Sequence, residues 1–468
     1  MAADGTVTTR IMIPFSGDGS GTRTGPLTWG QLGIWRTIER QSFSEVMSGL
    51  QALPPGTTLD AAVAAWRFSL SRHQALRTRL GFDPAGQPYQ RVFDSGELAL
   101  EVVDAPDGAD PAEVARAVQA RYAGADFDYA GEWPVRAAMV RHRGGFTHAV
   151  VVYSHLVLDA HGLTALLADL STMDRVTGAG TAPVAGVQPL ELARQQREPA
   201  ALRRGEASIR HWERVLRSVP ARRFDRSTDP RSPRYWDAAY RSPAALPALR
   251  EVAAREAAES SAVLLAAYAV ALCRVTGHHP AVTQIAVSNR FRRDFAQTVS
   301  PVAQTGLCVI EVAGVPFSTA IGRAGQAAIS AYKYAYYDPD RRLELFVQVS
   351  RDRGEEVDVS CYFNDRRPPG RDPAGAVRPA VAAIRALPLA GEVRWGDKTD
   401  QPIQKLYFDV DDTGDALEFT LTADTWALPP AGMVALLHGV EAVLVDAALN
   451  PAAGTGVGAG ARATGAAR

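Results

Sequence analysis

The chain alternates between stretches with an apolar residue every three to four positions and stretches with one at every second position, in no fixed rhythm. Residues 59–80 carry the clearest helical pattern: Leu59, Val63, Trp66, Leu70, Ala75 and Leu76 recur near helical spacing, with Arg67, Arg77 and Arg79 among them. A strand over 10–15 precedes a Gly/Ser/Thr-rich loop reaching Gly25, and Thr28 is placed to cap a helix. Strands follow at 88–93 and 98–103 and a helix at 112–122; two further strands bracket Arg143-Gly144-Gly145, whose glycines suit a tight hairpin. Beyond residue 189 the pattern predicts helices at 191–197, 200–216, 246–257, 260–276 and 431–447. Strands are expected at 282–288, 307–312, 344–349, 358–363, 406–410 and 417–422. The class is mixed α/β (α+β), without a repeating strand-helix-strand unit. The small-residue stretch 177–189 has no periodicity and is the best internal boundary, giving an N-terminal lobe over 1–180 and a C-terminal lobe over 181–450. Residues 451–468, rich in Ala and Gly, are expected to be a disordered tail.

Composition narrows the function classes. A chain of 468 residues exceeds what one hydrophobic core usually serves, which supports two lobes. With 46% hydrophobic and 22% charged residues it has the make-up of an ordinary globular protein. Fifty basic and fifty-one acidic residues are interspersed, so no broad basic surface for nucleic acid is expected. Cys273, Cys308 and Cys361 are far apart in apolar surroundings and read as buried thiols; their odd number and spacing argue against a disulfide framework and a structural zinc site. That pattern suggests a cytoplasmic protein. No run approaches 18 apolar residues and residues 1–10 lack the order of a signal peptide, so neither membrane insertion nor export is expected.

The chemistry is expected where an apolar run gives way to an apolar-periodic helix, at Ser154-His155-Leu156-Val157-Leu158-Asp159-Ala160-His161-Gly162-Leu163. A histidine at the end of a buried strand, four residues ahead of an acid, is held in a fixed direction by the scaffold. Other histidines carry less: His278-His279 is followed by Pro280 and no acid, at an expected helix-to-strand turn. His73 and Arg77, read inside the helix 59–80, are assigned to packing and salt bridging. Arg290 could equally be a surface residue beside Arg292 and Arg293. Trp29 and Trp35, on one helix, read as core.

Several motifs in order then give a resemblance. Leu27-Thr28-Trp29-Gly30-Gln31 with Trp35 forms an opening motif, and Arg72-His73-Gln74-Ala75-Leu76-Arg77-Thr78-Arg79-Leu80 is close to RHxxLRTxF. Ser154-His155-Leu156-Val157-Leu158-Asp159-Ala160 occupies the slot of an HHxxxDG motif, followed later by Ala286-Val287-Ser288-Asn289-Arg290 and Tyr362-Phe363-Asn364-Asp365. The chain resembles the condensation domains of nonribosomal peptide synthetases, within the chloramphenicol-acetyltransferase-like superfamily, over residues 27–447. The resemblance implies two chloramphenicol-acetyltransferase-like lobes in a V-shaped pseudo-dimer, with a tunnel holding His155 near its middle. It implies that His155 is the catalytic residue and that Asp159 pairs with Arg290 to hold the active-site loop. It further implies substrates carried on the phosphopantetheine arm of an acyl or peptidyl carrier protein, with a small-molecule amine or alcohol acceptor. No appended adenylation or carrier region is read in the sequence, so a free-standing enzyme and a monomer are expected.

Ser154 stands where the first motif histidine would be and Ala160 where the glycine would be. Serine keeps a hydrogen-bonding group but cannot hold a charge. Alanine at 160 would strain the backbone if the family glycine has φ > 0, and Gly162 could then supply the lost freedom. His161 is an addition beside the motif; with His155 and Asp159 it does not match a standard metal-ligand spacing. Amide formation from a thioester needs a deprotonated amine and a route for its proton, which an imidazole with an ordinary pKa of about 6.5 provides. The thioester is already activated, and neither GxxxxGK[ST] nor GxGxxG on a strand-to-helix turn is present, so no cofactor and no metal are expected. Three readings stay open: carrier-dependent condensation, an acyl-coenzyme A-dependent acyltransferase, and a degenerate condensation fold kept as a recruitment module.

Overall fold

The hairpin around Arg143 and Gly144 forms as its sequence requires: Val135–His142 and Gly145–Ser154 pair antiparallel, and the two turn residues have φ of 49° and 80°. The computed structural model describes residues 7–368, 381–401 and 404–458. It divides into two units, one of residues up to 203 with 288–304, the other of 204–287 with the residues from 305 on.

The first unit contains, in chain order, β1 (Val7–Ser16), β2 (Arg23–Pro26), α1 (Trp29–Gln41), β3 (Val46–Ala52), α2 (Leu59–Arg72), β4 (Thr78–Phe82), β5 (Pro88–Val92), β6 (Ser95–Asp104), α3 (Pro111–Ala123), β7 (Val135–His142), β8 (Gly145–Ser154), α4 (Ala160–Leu170) and α5 (Pro189–Gln195). Strands β1-β6-β7-β8-β3 make a five-stranded sheet, antiparallel except for the β6–β7 pair, and β2-β5-β4 a smaller one. Both faces of the larger sheet are covered, which is why β8 reads as a continuous apolar run rather than an alternating one. Val150 and Val152 pack on one face with Val114, Ala115 and Val118 of α3. Val151 and Tyr153 face the other way, toward a core containing Leu70, Leu156, Leu158 and Leu166.

The second unit holds α6 (Pro199–Ser218, which straddles the boundary), β9 (Tyr235–Ser242), α7 (Ala245–Glu256), α8 (Ser260–Thr276), β10 (Ala281–Val287), β11 (Gln304–Ile310), α9 (Phe317–Lys333), α10 (Pro339–Arg353), β12 (Cys361–Asp365), α11 (Val381–Arg385), β13 (Arg394–Thr399), β14 (Leu406–Asp412), β15 (Leu417–Asp424) and α12 (Pro430–Leu449). Its seven-stranded sheet runs β11-β10-β12-β14-β15-β9-β13, with β10, β12 and β14 parallel. Helix α8 is apolar all round and buried from Val263 to Cys273 among α7, α9 and α12. The three cysteines are free and buried, and burial pushes the Cys273 thiol up to about 12. Helix α12 is long and apolar enough by composition to cross a membrane, but it packs in this core through Met433, Leu436, Leu437 and Leu444.

Four expectations are corrected. The helix read over 59–80 ends at Arg72; His73 is extended (φ −107°), Gln74–Arg77 form a single 3-10 turn, and the rest is β4. The segment read as a strand at 344–349 is the middle of α10, where Asp338 caps the helix, Pro339 sits in its first turn, and Leu345 and Val349 point one turn apart into the core. The boundary falls at 203/204 rather than 180/181. Gln188 and Gln196 explain this, since their side-chain oxygens accept from the backbone N–H of Gln74 and Trp29 and tie α5 to the first unit. Finally, 451–458 is not a disordered tail. Thr455 N–H donates to Val315 O (3.0 Å), Phe317 N–H to Ala453 O (2.9 Å), and Val457 is buried. The remainder of the expected tail, 459–468, lies outside the described residues.

Candidate active site

Ser154 is the last residue of β8 and Asp159 is the N-cap of α4, so the motif spans a strand end, a turn and a helix start. Val157 N–H donates to Ser154 O (3.2 Å) and Leu156 N–H to Ser154 Oγ (3.3 Å), closing the turn. Leu156, Val157 and Leu158 are buried and anchor it in the core.

Asp159 is 4% exposed and its carboxylate accepts four hydrogen bonds. Oδ1 takes Gly162 N–H (2.6 Å) and Arg290 Nη2 (2.6 Å); Oδ2 takes the N–H groups of Val302 (2.9 Å) and Ala303 (3.1 Å). Of the two placements open for Arg290, the structure has the buried one, its side chain being 6% exposed. Its guanidinium also donates to the carbonyls of Phe295, Thr298 and Ser300. The segment 288–304 therefore wraps around one cation, with Asn289 in the left-handed region (φ 57°) and its amide donating to Val302 O (3.1 Å). The sharp turn places the Arg290 guanidinium inside.

The two motif departures have local explanations. Ala160 is the first residue of α4, exposed, and absent from the positive-φ positions, so its Cβ strains nothing. Gly162 does not supply a left-handed φ either; it matters for close approach, since a Cβ there would meet Asp159 Oδ1 at 3.1 Å and Ser300 O at 3.3 Å. Gly30 of α1 shows the same constraint, because a Cβ would lie 1.9 Å from Pro301 O. Ser154 is fully buried beside Tyr129, whose phenol burial pushes up while the hydroxyls of Ser44 and Ser154 hold it down. Tyr129 donates to Ser44 Oγ at 2.9 Å.

His155 is half-buried, and its backbone N–H donates to Glu45 O (2.9 Å), extending the β3–β8 pairing by one step beyond Val46 and Ser154. Its Nδ1 is buried and has no hydrogen-bond partner among the described residues. His161 is exposed on α4, while Asp159 is engaged by Arg290 and backbone amides, so these two do not converge with His155. Among the described residues no group of three His, Cys, Asp or Glu side chains is arranged to hold a metal. His278 and His279 lie in the second unit near Asp225 and Glu311. His73 is buried, with Nε2 2.9 Å from Asp169 Oδ2. Glu45 and Tyr129 were not legible as site residues: neither belongs to a motif, and only the strand pairing and the loop before β7 bring them to Ser154 and His155.

Comparison with known proteins decides the family. The sequence model of the condensation domain matches residues 23–361. The chain belongs to the condensation-domain family. Phosphinothricin tripeptide synthetase PhsC of Streptomyces viridochromogenes is 26% identical over 322 residues, which is 65% of this chain and 29% of that protein. The chain spans between 2% and 29% of the length of the curated relatives it matches. Among solved structures, the condensation domain that mediates chain release from the enacyloxin polyketide synthase superposes with a TM-score of 0.65 at 21% identity, covering 87% of this chain and 79% of that one. The X-domain from teicoplanin biosynthesis superposes with a TM-score of 0.68 at 20% identity, covering 92% and 96%, and is also known in complex with OxyB. Both share the mixed α/β, chloramphenicol-acetyltransferase-like condensation fold with this chain.

Proposed function

We propose that this condensation domain forms an amide or ester bond between an acyl thioester on a carrier protein and an amine or hydroxyl acceptor in natural-product biosynthesis, with His155 as the base. The observation that carries the reading is the placement of His155 on a strand end whose following turn is fixed at Asp159 by four hydrogen bonds, one of them from the buried Arg290. A turn fixed in this way, with the His155 backbone N–H held by Glu45 O, keeps the root of the side chain in place while substrates come and go. In the step itself the acceptor's nitrogen or oxygen attacks the thioester carbonyl, and His155 takes the acceptor's proton. As the tetrahedral intermediate collapses, the C–S bond breaks and the proton passes to the departing phosphopantetheine thiolate. The thioester supplies the activation, so the chain's own residues need only orient the reactants and move one proton. Asp159 and Arg290 act as structural supports of the loop, and Ser154 fills the first motif position as a buried hydrogen-bonding residue.

A second reading, a recruitment module without catalysis, is favoured by Ser154 in place of the first motif histidine and by the likeness to an X-domain that binds OxyB. The two separate on one measurement. Acyl transfer from loaded carrier proteins to a panel of amines and alcohols, followed by intact mass, is expected to fall about 10²- to 10⁴-fold in His155→Ala. Unchanged turnover in a folded His155→Ala protein would favour recruitment.

A further inference from the structure

Resting on the reading of His155 as the base, we infer that Glu45 is its positioning partner: a carboxylate facing the imidazole across the end of the β3–β8 pair, which stabilises the imidazolium formed when His155 takes the acceptor's proton. Nothing in the motif provides this group. Glu45 precedes β3, and its carbonyl accepts the His155 N–H at 2.9 Å. The register Val46↔Ser154 and Met47↔Tyr153 thus continues to Glu45 opposite His155. Residues directly opposite in an antiparallel pair project from the same face with Cβ atoms about 4.5–5.5 Å apart. The faces are known here: Val46 packs with the α3 side of the sheet, Met47 and Tyr153 with the other. Alternation places Glu45 and His155 together on the Met47 and Tyr153 side.

Two further observations join the residues. Among the described residues His155 Nδ1 is buried without a hydrogen-bond partner, an orphaned position that a carboxylate would satisfy once the ring carries its second proton. Burial pushes the Glu45 carboxyl up from its ordinary range, and the charges that draw it back are those of His155 and of Arg40, near the end of α1. Tyr129, on which the Glu45 charge acts, and Asp126, whose Oδ1 accepts the Ser44 N–H at 2.7 Å, are further titratable groups beside Glu45. A desolvated carboxylate gains most from a neighbouring positive charge, and the catalytic step creates one on His155.

The test uses ¹⁵N- and ¹³C-histidine-labelled full-length protein without substrate, so it does not depend on turnover. In Glu45→Gln the His155 ring is expected to titrate about half a pH unit or more lower than in the unaltered protein, because a neutral amide no longer favours the charged ring. Glu45→Asp, which keeps the charge, should restore most of the difference. With carrier-bound substrate, Glu45→Gln should lower kcat about tenfold with KM within about twofold. A His155 titration unmoved in Glu45→Gln, with the fold intact by circular dichroism, overturns the inference whatever the rates. Full turnover in His155→Ala overturns the reading of His155 instead, and the ring titration still decides for Glu45.

Discussion

Asp159 sits with its whole carboxylate satisfied, two bonds on each oxygen, and this sets what its replacement does. In Asp159→Ala the Arg290 side chain, 6% exposed, loses its counter-charge and three backbone N–H groups, those of Gly162, Val302 and Ala303, lose their acceptor. Breaking one side of a buried ion pair costs about 3–5 kcal/mol, so Asp159→Ala should unfold at clearly lower denaturant as well as lose activity. Asp159→Asn should recover only part of this, because its amide NH₂ would meet a donor on either side of the site. A fully stable but inactive Asp159→Ala protein would make the residue catalytic rather than structural. At this scale the pairing of Asp159 with Arg290 could be named from the motif resemblance, yet the bonds to Val302 and Ala303 could not. Backbone amides carry no sequence signal.

Among the elements, the end of α2 shows why a helical pattern can overrun its helix. The apolar spacing of Leu70, Ala75 and Leu76 continues past Arg72 because a 3-10 turn keeps nearly the same period, and all three are buried. What stops the helix is tertiary. Arg72 donates through Nε and Nη2 to Asp169 at the end of α4 (2.7 Å each), and His73 Nε2 meets the same carboxylate at 2.9 Å. Burial raises the Asp169 carboxyl, but hydrogen bonds from Arg72 and His73 outweigh it and hold the group below the usual carboxylate range. The folded state therefore binds this proton less readily than the unfolded chain, and the stabilisation is present above about pH 4 and lost as the pH falls below it. Asp169→Asn is expected to lower stability at neutral pH by on the order of 1–2 kcal/mol, with the gap to the unaltered protein closing on acidification in denaturant titrations. An unchanged gap from pH 7 to pH 3 would remove the charge from this contact.

For the molecule as a whole, the first unit is not a continuous piece of chain. Residues 288–304 belong to it and supply Arg290, the Val302 and Ala303 amides and the Pro301 carbonyl that packs on Gly30. A fragment of residues 1–203 should consequently fail to give a cooperative thermal transition, since Asp159 would be left buried without its cation. Residues 1–304, which include the segment, should fare better. A cooperative transition in the shorter fragment would show that the segment 288–304 is dispensable. The sequence by itself determined the mixed class, most helices and strands of both units, and the location of His155 and Asp159, because apolar periodicity, capping residues and a spaced motif are all local properties. Only the tertiary structure decided the boundary at 203/204, the ordering of 451–458, the burial of Arg290, and the meeting of Glu45 with His155. Each depends on which distant backbone or side chain fills the remaining hydrogen-bonding positions, and a strand register or a loop wrapped around a cation is written in no single stretch of chain.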